Sequence, residues 1–247
     1  MAPVTGITID IGEKRFPAVA GAPARLIYRD FRLEVAPFAF VVLLAPSGLG
    51  KTTLLNMVAG LDRDFSGTIR FEPAAGAAAR PEGPRLAYAF QSPRLLPWRS
   101  VLDNVALPLG RDPAAAEKAL AMLRQVGLEE QADAYPERLS LGQQRRVALA
   151  RAFAIDPDVL LMDEPFVSLD EAGAARLRDL LRRLLVARPA TVMFVTHDSR
   201  EAVELGSRIV RLDGAPAQIV ADVAVGLSPQ QRRAPDAVEA LRRQVIG

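Results

Sequence analysis

Phe38-Ala39-Phe40-Val41-Val42-Leu43-Leu44-Ala45-Pro46-Ser47-Gly48-Leu49-Gly50-Lys51-Thr52-Thr53 decides the fold. Phe38 to Leu44 is continuously apolar, the pattern of a strand buried on both faces. Gly48 and Gly50 let the backbone turn, and Thr53 to Leu61 reads as a helix. A doubly buried strand followed by a helix points to a parallel α/β sheet. Further strands read at Arg85 to Phe90, Val159 to Met162 and Thr191 to Thr196. Between the last two, Leu177, Leu180, Leu181, Leu184 and Leu185 form a stripe at helical spacing, which is core packing. Ligands bind such sheets beyond the carboxyl ends of the strands. The sequence brings Ala45 to Thr52, Gln91, Asp163-Glu164 and Thr196-His197 to those ends.

Working outward, residues 4 to 35 alternate loosely and read as strands, Ile7 to Ile11 and then Arg25 to Val35. Glu72 to Pro84 is rich in Ala, Gly and Pro and reads as a loop. Residues 93 to 155 read as mainly helical. Asp112-Pro113 reads as an N-cap with Pro at the first helical position, Gly127 as a stop, and a second helix starts near Ser140. Residues 234 to 247 read as a short terminal helix. No internal repeat is present.

Half of the 247 residues are hydrophobic and 24% are charged. That suits one large domain, or one with a small subdomain. There is no cysteine, which excludes disulfides, thiolate metal sites and cysteine nucleophiles. No basic segment followed by an apolar core marks a secretory signal. The longest apolar run, Val35 to Ala45, contains Pro37 and falls short of the roughly 20 residues of a spanning helix. A soluble, cytosolic chain is expected, with any membrane association made through a partner. Lys+Arg 31 against Asp+Glu 29 leaves +2, which argues against a nucleic-acid binder. The pairs Arg145-Arg146, Arg182-Arg183, Arg232-Arg233 and Arg242-Arg243 read as solvated faces.

Ala45 to Thr52 resembles the phosphate-binding P-loop, G-x-x-x-x-G-K-[ST], with Ala45 in place of the first glycine. Gly48 and Gly50 would let the backbone turn so that its N–H groups converge on phosphate oxygens, aided by the positive end of the following helix. Lys51 would reach the β- and γ-phosphates, Thr52 would bind Mg²⁺, and Thr53 can bond an α-phosphate. If position 45 needs a positive φ, alanine costs roughly 1 kcal/mol or more there. Val159 to Glu164, four apolar residues before two acids, resembles a Walker B strand. Asp163 would hold Mg²⁺ through its water shell and Glu164 would polarise the attacking water.

Leu139-Ser140-Leu141-Gly142-Gln143-Gln144 resembles the L-S-G-G-Q signature of ABC transporter ATPases. Gln91 matches that family's Q-loop, Ser168-Leu169-Asp170 its D-loop and His197 its switch histidine. The resemblance spans about residues 5 to 215. Leu95-Leu96-Pro97-Trp98 and Val101-Leu102-Asp103-Asn104-Val105 look like the importer ATPases for nitrate, sulfonate and taurine. Ser140-x-x-Gln143 is also a capping box, whose N–H groups and positive end would face a γ-phosphate held by a second subunit.

The resemblance implies an α/β fold: a P-loop NTPase core with an N-terminal antiparallel β part. It is expected as one domain over 1–247 with a helical subdomain inserted at 93–155. It implies binding and hydrolysis of ATP with Mg²⁺. Glu164, His197 and Lys51 would act in catalysis. Ser47 to Thr53, Gln91, Ser140, Gly142 and Gln143 would bind nucleotide, and Thr52, Gln91 and Asp163 the metal. Phe16 is either the adenine-stacking aromatic or a core phenylalanine. Trp98 either helps form a groove for a permease or packs in the helical subdomain. Implied partners are a second ATPase subunit as a homodimer, an integral membrane permease and a substrate-binding protein, and no nucleic acid. The location would be peripheral, on the inner face of the cell membrane. Ala45 and Leu141 depart from the family pattern and motivate one alternative, a catalytically weak ATP-binding structural or regulatory subunit.

Overall fold

The computed structural model describes residues 5–246 except 20, 22, 75, 77–79 and 229. The described chain divides into two units, one from residues 84–190 and one from the flanking segments up to 83 and from 191.

The flanking unit begins with three antiparallel strands in the order β2-β1-β4: β1 (Thr5–Phe16), β2 (Arg25–Val35) and β4 (Ser66–Pro73). Ile7, Ile9 and Ile11 alternate inward from β1 and are buried. They lie opposite Val35, Leu33 and Phe31 on β2, and Phe71, Ile69 and Gly67 on β4. Gly67 is required where it stands. Its φ is 123°, and a Cβ there would lie 2.1 Å from the Asp10 carbonyl oxygen. β4 was not expected from the sequence, and it claims Glu72 and Pro73 from the loop read there. The rest of that reading falls partly outside the described residues.

The same unit holds β3 (Phe40–Leu44), flanked in parallel by β7 (Thr191–Thr196) and β8 (Arg208–Asp213). β9 (Gln218–Ala224) closes on β8 antiparallel. Val41, Val42 and Leu43 are wholly buried, as a central strand requires. β3 starts two residues later than expected because Phe38 turns at φ 63°. The first helix, α1 (Lys51–Val58), starts two residues earlier than expected, directly on the glycine turn. α6 (Ser199–Leu205) and α7 (Pro235–Ile246) complete this unit.

The 84–190 unit pairs β5 (Leu86–Ala89) with β6 (Val159–Asp163) in parallel. Between them run α2 (Val101–Ala106), α3 (Ala115–Gln125) and α4 (Leu141–Phe153). After β6 comes α5 (Glu171–Ala187), whose Leu177, Leu180, Leu181 and Leu184 are buried. Each such burial contributes roughly 1.5–3 kcal/mol. Gly127 stops α3 at φ 68°. Asp112 is not the helix cap read from the sequence. Its carboxylate accepts from the Ala114 N–H in a turn, and α3 begins at Ala115. The solvated-face reading of the arginine pairs also needs correction. Arg145 is buried, and Arg232 donates to the carbonyls of Leu227, Val203 and Glu204. Among the described residues, no helix is long and apolar enough to cross a membrane.

Candidate active site

In the flanking unit the phosphate loop leaves β3 and turns into α1. Gly48 and Gly50 take φ 84° and 89°, whereas Ala45 is not among the residues at positive φ. Alanine therefore carries no backbone penalty at position 45, which removes one support for the catalytically weak alternative. Among the described residues, no protein acceptor receives the N–H groups of Ser47, Gly48, Leu49 and Gly50. Four unpaired donors before a helix N-terminus form a cradle suited to an anion with several oxygens. The buried Lys51 ammonium donates to the carbonyls of Ala45 and Pro46 at 2.8 and 2.9 Å, across the same loop. Thr52 is exposed and Thr53 half-buried in the first turn of α1.

Two residues that sequence reasoning missed brace this loop from β2. The Tyr28 hydroxyl donates to the Gly50 carbonyl at 3.0 Å, and Arg25 donates to the Gly48 carbonyl at 2.5 Å. Tyr28 is buried, and its burial pushes the phenol far above its ordinary value, so it remains a donor. Neither residue has a local sequence signal, because each acts on a segment about 20 positions away. Arg25 is also the register partner of Phe16. Phe16 thus lies one strand from a residue that touches the phosphate loop. It is 42% exposed, with the Lys14 ammonium 4.8 Å from its ring centroid. An exposed ring is not core packing.

His197 follows β7, where Thr196 is in register with Leu44 and accepts from the Ala45 N–H at 3.3 Å. That places the exposed imidazole beside the start of the phosphate loop. The next residue, Asp198, caps α6 through the Arg200 N–H. The Thr196 hydroxyl donates to Glu201 at 2.6 Å, which ties the turn to the helix.

In the 84–190 unit, Asp163 ends β6 and is 5% exposed, and Glu164 follows at φ 42°. Ala89 of β5 is in register with Met162, so Gln91 leaves its strand alongside these carboxylates. Burial, and after it the Asp163 charge, pushes the Tyr88 phenol well above its ordinary value. Ser168 takes φ 65°, so the segment from Glu164 to Ser168 is strained at both ends. Strained residues of this kind cost about 1–3 kcal/mol each and persist only when held.

They are held from α4. The buried Arg145 forks onto the carbonyls of Pro165 and Val167. Farther along the helix, Arg151 donates to the carbonyls of Pro93 and Arg94 at 2.7 and 2.9 Å, just after Gln91. Burial depresses both guanidinium values below the usual range. A charge-assisted bond contributes about 1.5–3 kcal/mol, so neither fork is incidental. The signal for Arg145 was present but was read as surface: it occupies the inward phase of α4 with Leu149 and Phe153.

The start of α4 bears out the capping box. Ser140 Oγ accepts from the Gln143 N–H, and Gln143 Oε1 accepts from the Ser140 N–H at 2.8 Å. Leu141 is the first helical residue and is 39% exposed. Ser140 and Gly142 line a cavity of about 510 Å³ with Arg146, Arg176 and Arg183. Leu169 of the D-loop lines it too, and Asp170 caps α5 through the Gly173 N–H at 3.1 Å.

Comparison with known proteins places the chain in a family. The family described as ABC transporter matches residues 28–167, more than half of the chain. The aliphatic sulfonates import ATP-binding protein SsuB 1 of Xanthomonas axonopodis pv. citri (strain 306) is 40% identical over 246 residues. The match covers 97% of this chain and 94% of that protein. SsuB of Bacillus subtilis (strain 168) is 36% identical over 242 residues, covering 97% of this chain and 92% of that one. Among solved structures, the dimeric post-hydrolysis state of the ATP-binding cassette MJ0796 bound to ADP and Pi matches with a TM-score of 0.75. Its sequence is 27% identical, and the match covers 90% of this chain and 100% of that one. A phosphate loop without protein acceptors, a strand ending in two carboxylates and a capped signature helix fit the same assignment: the chain belongs to the ABC transporter family, as an ATP-binding and ATP-hydrolysing subunit.

Proposed function

We propose that the chain hydrolyses ATP as the motor of an importer, working as a homodimer beneath a membrane permease that receives solute from a substrate-binding protein. The observation that carries the reading is the phosphate loop, whose four unpaired N–H groups stand before α1 with Lys51 beside them. The relatives named above for aliphatic sulfonates favour a small sulfonated solute. In this reading the solute does not touch this subunit, whose place is the inner membrane face.

Each residue has a task. Ser47 to Gly50 bind phosphate oxygens through backbone N–H groups, and Thr53 adds a hydroxyl. Lys51 exchanges its loop carbonyls for the β- and γ-phosphates and offsets charge that develops during transfer. The donor set also suits Mg²⁺, which takes one or two carboxylates or hydroxyls together with phosphate and water rather than a protein cage. Thr52, Asp163 and Gln91 would hold the ion, which when bound neutralises phosphate charge. Glu164 orients and polarises the attacking water, and His197 contacts the γ-phosphate. Phe16 stacks on adenine. Ser140, Gly142 and Gln143 offer the capped end of α4 to the nucleotide held by the second copy. The helical segment 93–155 serves as the inserted subdomain, with Trp98 on its permease-facing groove.

Replacing Glu164 with Gln tests the assignment. Shape and hydrogen bonding stay, while the carboxylate is lost. Phosphate release should fall by about 10² or more with ATP binding retained. Parental turnover in the folded variant would remove Glu164 from the reaction.

A further inference from the structure

We propose that Arg145 and Arg151 make α4 the element that sets both catalytic loops of its own subunit. Arg145 positions Glu164, and Arg151 positions Gln91. The inference rests on the function proposed above and goes beyond its roles, none of which involves these two arginines.

The argument begins with what a guanidinium does. It is planar, permanently charged and forked, so it can bind two carbonyls at once and fix their separation. Arg145 takes the carbonyls of Pro165 and Val167, on either side of Phe166. Two turns overlap in this segment. The Val167 N–H donates to the Glu164 carbonyl and the Leu169 N–H to the Phe166 carbonyl, each at 3.3 Å. The left-handed residues Glu164 and Ser168 bound the segment. A fork onto its middle carbonyls therefore determines how Glu164 emerges from β6. Among the described residues Arg145 Nε has no hydrogen-bond partner, so this cation is committed to those two carbonyls.

Arg151 repeats the device on the other loop. It binds the carbonyls of Pro93 and Arg94, and Arg94 is itself turned to φ 45° with its guanidinium 3.9 Å from the Phe90 ring centroid. Gln91 lies between Phe90 and these carbonyls. The two arginines are six residues apart, about 9 Å along a helix. The same helix starts at Ser140, with the capping box and the signature residues. A rigid thirteen-residue helix thus carries three contacts: its end toward a second copy's nucleotide, one fork on the Glu164 loop and one on the Gln91 loop. Displacement of the end moves both forks, and arrival of a second copy can then be felt at the water-activating and metal-sensing residues.

The test compares Arg145→Gln, Arg145→Lys, Arg151→Gln and Arg151→Lys with Arg188→Gln. The last is a control from the same unit whose side chain bonds Asp156 and Gln125, away from both loops. ATP affinity, kcat, KM and melting temperature are measured for the full chain. Arg145→Gln should lower kcat at least tenfold with KM and ATP affinity within twofold, because the phosphate loop is untouched. Arg145→Lys, which keeps the charge and several donors, should recover part of the loss. Arg151→Gln should act mainly on the Mg²⁺ concentration needed for half-maximal turnover, again with partial rescue by Lys. Hydrogen exchange should speed up at residues 164–169 in the Arg145 variants and at 91–95 in the Arg151 variants. Should a Gln variant not fold, its Lys counterpart reads the same kinetic split and exchange pattern. The proposal is overturned if kcat and the Mg²⁺ requirement stay parental in folded variants. It is equally overturned if Arg188→Gln, at a matched loss of melting temperature, lowers kcat as much. Loss of the Glu164 dependence of parental turnover would instead strike the underlying function, so the two failures are separate.

Discussion

At the scale of single residues, the phosphate loop distinguishes glycines needed for conformation from those needed for space. Gly48 and Gly50 both sit at positive φ, but an added Cβ meets nothing at Gly48, whereas at Gly50 it would lie 2.3 Å from Ile27 Cγ2. Gly48→Ala should therefore cost about 1–2 kcal/mol of stability, the left-handed penalty alone. Gly50→Ala should cost more and should weaken ATP binding by tilting the loop against Tyr28. Urea unfolding and titration with a fluorescent ATP analogue give both numbers, and equal costs would refute the distinction. Lys51→Ala should keep the fold and weaken ATP binding by about 1.5–3 kcal/mol, roughly 10- to 150-fold, the range for lost charge-assisted bonds. The places of Lys51, Thr52, Asp163, Glu164 and His197 at or just past buried strands were legible in the sequence, because each lies at a short offset from an apolar run. Tyr28 and Arg25 were not, because a brace made across a strand leaves no spacing to read.

Elements were legible in proportion to their burial. β6 and β7 are buried from end to end, β3 from Val41 onward, and all three announce themselves as apolar runs. β4 and β9 expose most of their residues and carry charges, so no hydrophobic period marks them. β9 instead uses a charge pair that is visible only in three dimensions. Arg208 of β8 binds Asp222 of β9 through Nε and Nη2 at 2.7 and 2.6 Å. This hydrogen bond holds the Asp222 carboxyl below its ordinary 3.8 and raises Arg208. A depressed carboxylate contributes stability that is full above 3.8 and lost as pH falls through its folded value. The pair is partly exposed, so Asp222→Asn should cost no more than about 1 kcal/mol at pH 7. The gap in melting temperature between parent and variant should close on acidification through that range. A gap that persists in strong acid would assign the effect to packing instead. In the 84–190 unit the counterpart is Asn104, wholly buried, whose amide serves Leu96, Arg99 and Ser100. Asn104→Ala should destabilise by about 1–3 kcal/mol, because those groups lose their partner. Thermal unfolding reads this directly.

For the molecule as a whole, the signature helix is useful only in company. Leu141 stands first on that helix, partly exposed, where the family pattern has glycine. In the proposed dimer a side chain there would crowd the approach to phosphate, and contacts between groups taken out of water weaken quickly with distance. Leu141→Gly should raise turnover or ATP-driven dimerisation, whereas Ala45→Gly should change neither, since position 45 has ordinary backbone. Phosphate release followed across protein concentrations separates the two. A fall in turnover for folded Leu141→Gly would mean that leucine has become part of the working interface. The chain also carries its own optical gauge. Trp98 is its one tryptophan and is 72% exposed, on a segment pinned by Asn104 through Leu96 and Arg99. Its indole should emit as a water-facing fluorophore and be quenched readily by iodide. Reconstitution with the permease should shift that emission to the blue and shield it, so docking can be timed without attaching a dye.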